Sequence, residues 1–483
     1  MRQRFEQQLN LGQTPISEVE ISKKVKTPMV SLLAALQHLF LTPEYNEKIF
    51  RILEEHILKG LKKTGRKGMD LWQLFVLAQA RLCINASYAH IHYLANYDEL
   101  LRQIMGVSTG FGIERIEFDY QTIYDNVSLL DDEVIQKINE VIFQMGHDVF
   151  KKKEEELLVL KTDSYVVESN VHFPTDYNLL WDSGRKCLDM ISHLLKRHPE
   201  IEGWRKKKDW YRRLKGQMRE LGKVTAVGGK NKEERVLKAA NQYIKTSKQL
   251  SKKVQSFLEI SPTEEALDWC SIVSLMYFLE MLDKHIDLVE RRLIKGETIP
   301  HEEKLFSIFE TYTEMIKKGK QRPNFELGKK VLITTDQYHL IVDYQIMNQE
   351  SDSEVVINLA DRLLVNHQVK SWSWDKGFYS KDNKELLQLE VPEVIMPKKG
   401  KRNKTEENEE STNRFIKLKN AHSAIESNIN ELEHRGLDRC PDKGYNNFKR
   451  YISLGITAYN LHKIGKELIS QKLAKEKKLK VAA

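Results

Sequence analysis

The stretch from Leu157 to Asp176, LLVLKTDSYVVESNVHFPTD, constrains this chain more than any other. Four apolar residues, Leu157 to Leu160, run into Lys161-Thr162-Asp163, and a continuous apolar run of this kind suits a strand buried on both faces. Tyr165 to Val167 continues the β pattern, and Val171-His172-Phe173 is expected to pair back before Pro174 stops the ladder. Asp163 then lies on or at the end of a central strand, where an unpaired carboxylate is costly to bury. It is either a structural acceptor satisfied by backbone donors or a ligand for a cation.

The 483 residues are too many for one core, so two or three domains are expected. No apolar run approaches the length that spans a bilayer, and the polar opening MRQRFEQQLN lacks a signal peptide's apolar core. A cytoplasmic, nucleoid-associated protein without a membrane partner is expected. Cys83, Cys187, Cys270 and Cys440 lie at neither metal-ligand nor disulfide-framework spacing, which reads as reduced thiols. The net charge of +8 is modest for the length, so the clustering of cations says more than their excess.

Along the chain, residues 1–66 read as an N-terminal helical segment, with Pro43 breaking a leucine- and isoleucine-rich helical pattern. Lys59 to Gly68 is a basic, glycine-punctuated turn, either a phosphate contact or a solvated linker. Residues 67–153 read as packed helices turning at Asn85-Ala86-Ser87, a DNA-binding or dimerisation domain that permits a helix-turn-helix. Residues 154–195 carry the key strand and a helix. Residues 196–325 read as an all-helical basic insertion.

That insertion holds the densest cations: Arg205, Lys206, Lys207, Lys208, Arg212, Arg213 and Lys215, interleaved with Trp204, Trp210 and Tyr211. The pattern suits phosphate contact with stacking on bases; its bland counterpart is a solvated helical face. Ser261-Pro262-Thr263-Glu264 reads as a capped helix start, and Leu275, Leu279, Leu282, Ile286 and Val289 follow as core positions.

β character returns across residues 326–465. Lys330 to Ile346 is one strand or a hairpin, Val355 to Leu364 a helix, and Val369 to Trp374 a strand ending at Asp375. Val391 to Met396 reads as a last strand. One helix is then expected from about Asn413 to His434, closed by Gly436, with Leu418, Ala421, Ile425, Ile429 and Leu432 facing the sheet and Glu426 bordering that stripe. Residues 466–483 form a basic tail.

Three carboxylates stand out: Asp163 on the first buried strand, Asp375 ending a later one, and Glu426 on the following helix. Brought to one sheet edge, such oxygen ligands suit Mg²⁺, with Mn²⁺ able to substitute. Two such ions about 3.5–4 Å apart activate a nucleophile and stabilise a leaving oxygen at phosphorus. Glu168, Asp176, Asp336 and Asp343 compete for the role, and Asp336 follows a β run much as Asp163 does. His172 is either a neighbour of the site across the hairpin or a hydrogen-bonded core histidine.

The blocks TDSYVVESNVHFPTD at 162–176, VLITTDQYHLIVDYQ at 331–345, WDKGFYS at 374–380 and HSAIESNINELEHRGLDRCPDKG at 422–444, continuing into FKRYISLGITAYNLHKIG at 448–465, resemble the DDE transposases of bacterial insertion sequences, closest to the ISNCY group. The resemblance covers nearly the whole chain. It implies an α+β multidomain protein with an RNase H-like mixed-sheet catalytic core, a helical N-terminal domain and a long all-helical insertion. It also implies that Asp163, Asp375 and Glu426 are the catalytic and metal-binding triad.

The family often carries a Tyr and an Arg before the last Glu and a Lys after it; here Lys419, His422 and Glu433 stand there. Lys376, Lys399 and Arg435 are further candidate phosphate contacts. The expected activity is cleavage of transposon-end DNA and strand transfer of the freed 3′-hydroxyl into target DNA, by a homodimer or higher oligomer. A nuclease without strand transfer and a catalytically silent DNA-binding relic are the rivals.

Overall fold

Proline and short polar side chains set where the helices begin. Pro28 and Pro43 occupy first turns, where a missing N–H costs nothing. Asp70 and Gln73 form a reciprocal capping box, while Ser87, Asp131 and Thr175 each accept a first-turn backbone N–H. The structure, a computed structural model, describes residues 2–5, 13–60, 68–109, 115–204, 206–260, 266–319 and 324–482. Most of the basic turn at 59–68 and the whole of Ser261 to Glu264 lie outside the described residues.

In chain order the first helices are α1 (Pro28–Leu41), α2 (Pro43–Ile57), α3 (Leu71–Cys83), α4 (Tyr88–Tyr97), α5 (Glu99–Ile104), α6 (Tyr120–Val127) and α7 (Asp132–Val149). Strand β1 (Leu158–Glu168) follows, then α8 (Asp176–Arg197), α9 (Lys207–Ala226), α10 (Lys232–Glu259) and α11 (Ala266–Leu293). Next come β2 (Glu314–Lys317), β3 (Phe325–Thr335), β4 (Ile341–Ile346), α12 (Val356–Leu364), β5 (Val369–Trp374), α13 (Lys381–Glu390) and β6 (Glu393–Ile395). The chain closes with α14 (Lys404–Glu410), α15 (Asn413–His422), α16 (Ala424–Leu432) and the long α17 (Tyr445–Ala482).

Two compact units divide these elements: Met1–Asn170 with Ile316–Ala483, and Val171–Met315. The first holds a six-stranded mixed sheet in the order β2-β3-β1-β5-β6, with β4 paired to β3 off that path. β1 lies at its centre, antiparallel to β3 and parallel to β5, and α17 packs with α1, α3 and α7. Every residue of α3 is buried, so it serves as a core helix. The fold is thus α+β with an RNase H-like mixed sheet, as the sequence implied.

A tie between three strands sets their register. Thr162 Oγ1 bonds Thr334 Oγ1 on β3 at 2.8 Å and accepts Trp372 Nε1 of β5 at 2.8 Å, all of them buried. The stacked indoles of Trp372 and Trp374, 4.7 Å apart, stiffen β5. This fixes the residue before Asp163 and, through the Thr162–Trp374 pair, the residue before Asp375.

The second unit is built on α8 to α11. Leu275, Leu279, Leu282, Ile286 and Val289 are all buried in its core, together with Leu214, Tyr243 and Leu250.

Three expectations about local structure are corrected. Val171 to Phe173 forms no strand: β1 runs on to Glu168, where Asp438 and Cys440 satisfy its backbone, and Thr175 then caps α8. The insertion is not helical to residue 325; α11 ends at Leu293, where Ile294 and Lys295 both donate to the Glu290 carbonyl and Gly296 takes a φ of 70°. The helix expected from Asn413 to His434 breaks at Ser423, whose hydroxyl takes the Asn420 carbonyl at 2.8 Å. Ala421 is exposed as a result, while Phe415, Ile425, Asn428 and Leu432 supply the buried positions.

Candidate active site

Alternation along β1 places Lys161, Asp163 and Tyr165 on one face and Thr162 and Ser164 on the other. The parallel ladder with β5 ends at Thr162–Trp374, so Asp163 and Asp375 each stand one residue beyond its last pair. Asp375 is exposed and caps the following turn, its Oδ2 accepting the Gly377 N–H at 3.4 Å. Glu426 is exposed in the first turn of α16. Asp163 is half-buried, and its Oδ1 accepts the Ser164 N–H at 2.7 Å.

One electrostatic field joins these groups. Burial pushes the Asp163 carboxyl up to about 7, and the negative charges of Asp375, Asp352 and Glu426 push in the same direction. Among the described residues no ion pair holds Asp163, Asp375 or Glu426. Nor do three His, Cys, Asp or Glu side chains of the described residues close on a single point as a metal-binding group. The donor chemistry nevertheless fits a hard cation: carboxylate oxygens, unneutralised, in a field that raises the cost of their charge.

Three of the four competing acids have side-chain partners of their own; for Glu168 only the backbone is bonded. Asp336 is fully buried, accepts the N–H groups of Tyr338 and Leu340 at 2.9 Å each, and meets His147 Nε2 at 2.8 Å. Asp343 is bidentate with Arg362, Asp176 pairs with Arg292 at 2.7 Å, and the backbone of Glu168 is bonded to the Asp438–Cys440 segment. His172 meets Asp182 at 3.2 Å in the helical unit.

The candidate phosphate contacts divide. Lys376 and Lys399 are exposed. Arg435 is not: it is buried, donating to Glu431 Oε1 and His462 Nδ1 at 2.7 Å each. Gly436, whose φ of 96° only glycine adopts at low cost, lies in the π-turn Glu433–Leu437, and the guanidinium reaches back to Glu431, four residues earlier. Glu431 anchors that group, and although burial opposes it, Lys463 and Arg435 hold its carboxyl at about 2.

In the helical unit Lys206, Lys208, Arg212 and Arg213 are exposed, Lys207 and Lys215 half-buried, and Arg205 lies outside the described residues. The interleaved aromatics do not wait for bases. Trp204 is buried edge-on to Phe257, Tyr211 packs edge-on to Trp181, and Arg213 lies over Trp210. Trp204 belongs to the core, while Trp210 and Tyr211 are half-buried against it.

Of two further groups at the site, Asp352 escaped the sequence reading, and His422 was named only as a departure from the family's pattern. Asp352, between β4 and α12, accepts Ser164 Oγ at 2.8 Å and Lys330 Nζ at 3.0 Å. His422, four residues before Glu426, bonds Ser373 Oγ at 3.0 Å, and burial lowers its ring to about 4. Nothing local in the sequence marks Asp352.

A mixed sheet with a carboxylate on its central strand, another just past the neighbouring parallel strand and a third on a following helix defines the RNase H-like class of phosphoryl-transfer cores. Residues 293–461 match the family model described as transposase DDE domain, so this part of the chain is similar to that domain, which supports a DDE-type insertion-sequence transposase. No curated protein and no solved structure matches the chain.

The raised Asp163 carboxyl makes a prediction independent of any activity. Between pH 4 and 7 the folded chain keeps a proton that the unfolded chain has released, so stability falls as pH rises through this window. Asp163→Asn is expected to leave stability unchanged below pH 4. Above pH 7 it should raise stability by about 1–3 kcal/mol, allowing for partial solvent screening. Denaturant titrations in chelator at pH 5 and pH 8 check this; equal stability of both proteins at pH 8 contradicts it.

Proposed function

We propose that this chain is an insertion-sequence transposase that cleaves phosphodiesters at the element's ends and joins the freed 3′-hydroxyl to target DNA. The observation that carries the reading is the shared field of Asp163, Asp375 and Glu426, drawn from three distant segments beside the last β1–β5 pair. On this reading these three side chains hold Mg²⁺, or Mn²⁺ in its place, and also serve as the catalytic residues. The bound ions supply Lewis acidity to the scissile phosphate and lower the pKa of coordinated water.

The chain's own residues do the rest. Ser164 N–H orients the Asp163 carboxylate, and the turn after β5 orients Asp375. Lys376, exposed and next to Asp375 in the sequence, is proposed to contact a non-bridging phosphate oxygen, with exposed Lys399 a second candidate. The outward cations of α9 suit the sequence-independent phosphate contacts that a duplex requires.

No helix among the described residues is long and apolar enough to cross a membrane, which accords with action on DNA in the cytoplasm. The motif blocks favour the ISNCY-like group. Two ends must be joined to one target, so a dimer or larger assembly on DNA is proposed.

Labelled element-end DNA incubated with target DNA in Mg²⁺, in Mn²⁺ and in chelator tests this. Joined products that need metal are expected. Cleavage without joining would instead identify a nuclease, and binding without either would identify a silent relic.

A further inference from the structure

Asp352 bonds to two of the strands that build the site and lies against the turn that follows the third. Its Oδ1 accepts Ser164 Oγ of β1 at 2.8 Å and Lys330 Nζ of β3 at 3.0 Å. Its Oδ2 lies 3.0 Å from where a side chain would begin at Gly377, in the turn that Asp375 caps after β5. Gly377 has no Cβ, and that lets the carboxylate come so near the turn. Ser164 is also the residue whose N–H holds Asp163 Oδ1 at 2.7 Å. One side of Ser164 therefore grips Asp163 and the other grips Asp352.

Among the described residues the Lys330 ammonium pairs with Asp352 alone, and both side chains are mostly shielded from solvent. An ammonium left unpaired there stands within a few residues' reach of the carboxylate field. It would favour the ionised acids as a cation does, but from a fixed and off-centre position, and so would oppose entry of a divalent ion.

We propose that Asp352 and Lys330 form a positioning pair for the carboxylate site, resting on the reading that Asp163, Asp375 and Glu426 hold a divalent cation. Asp352 fixes Ser164, and through it the Asp163 carboxylate, while its charge cancels the Lys330 ammonium. Groups that orient metal ligands contribute about 10–100-fold to metal affinity or activity, and for this pair the contribution is to affinity.

The experiment uses the full chain carrying Asp352→Asn, Lys330→Gln or both, with Mg²⁺ titrated against thermal stability without DNA and against cleavage rate with DNA. Asparagine keeps an acceptor for Ser164 and removes only the charge. Asp352→Asn is expected to raise the half-saturating Mg²⁺ about tenfold in both titrations, the lower end of what such outer partners contribute. Its rate at saturating Mg²⁺ should fall far less, by under about threefold, and adding Lys330→Gln should restore most of the affinity.

An unchanged Mg²⁺ dependence in Asp352→Asn overturns the proposal. So does a loss at saturating Mg²⁺ that Lys330→Gln leaves unrepaired, since Asp352 would then be a ligand itself. A wild-type chain that responds to no divalent ion overturns the site reading beneath it, an outcome separable from either of these. Melting in chelator shows whether each variant is folded.

Discussion

Asp375→Asn is expected to abolish metal-dependent cleavage while leaving DNA binding within about threefold and stability within about 0.5 kcal/mol. The reason lies in what the side chain does and does not support. Asp375 is exposed, belongs to no ion pair among the described residues, and contributes one capping bond to the turn after β5. An asparagine oxygen accepts the Gly377 N–H equally well, so the turn keeps its shape. What disappears is one negative charge of the three proposed to hold the ions. A drop of at least about 10³-fold in rate, near 4 kcal/mol of barrier, follows if Asp375 is a ligand. A gel assay on labelled element-end DNA measures the rate, and a mobility shift in chelator measures binding. Cleavage within tenfold of wild type would remove Asp375 from the mechanism.

The sequence carried the strands better than it carried the surroundings of the site. β3, β4 and β5 announce themselves because VLITT, LIVDYQI and WSW are β-branched or aromatic runs that the sheet buries directly. Whether Lys330 to Ile346 was one strand or a hairpin stayed open in the sequence, and the antiparallel pairing of β3 and β4 makes it a hairpin. Asp163 and Asp336 were harder to separate, since each follows an apolar run. Their difference is one of partners: Asp336 is consumed by two backbone N–H groups and His147, whereas Asp163 has one N–H and three negative neighbours. Only folded geometry distinguishes those cases.

Asp352 was invisible because it sits in a polar loop without periodicity, and its partner Ser164 is far away in sequence. Arg435 misled for the opposite reason. Beside His434 and Gly436 it reads as a surface cation, yet it is buried, paired with Glu431 four residues earlier and with His462 of α17. The interleaved tryptophans and tyrosine of the basic region show a third kind of failure. Aromatic spacing alone does not say whether a ring stacks on a base or fills a bundle, and here neighbouring helices claimed the rings first.

Close helix packing yields the second large effect. Gly465 of α17 lies against α1, and a Cβ built there overlaps the Ser31 carbonyl oxygen and its carbon. The obstacle is backbone, so no rotamer change relieves it; α1 and α17 must separate. Alanine is intrinsically the better helix former by about 1 kcal/mol, a gain that the clash outweighs. Overpacking of a tight core costs about 1–3 kcal/mol and at times more, and a contact that moves two long helices belongs at the upper end. Gly465→Ala is therefore expected to destabilise the sheet-bearing unit by about 2–4 kcal/mol. Gly216 of α9 supplies the matching contrast: it is exposed, helical and has nothing within 4 Å of the same added carbon. Gly216→Ala should stabilise the helical unit by up to about 1 kcal/mol. Hydrogen exchange of α17 and α9 amides reads each unit separately, and the argument requires opposite signs from the same chemical change. A Gly465→Ala chain with protection equal to wild type in α17 would mean that the two helices pack less closely than their backbones indicate.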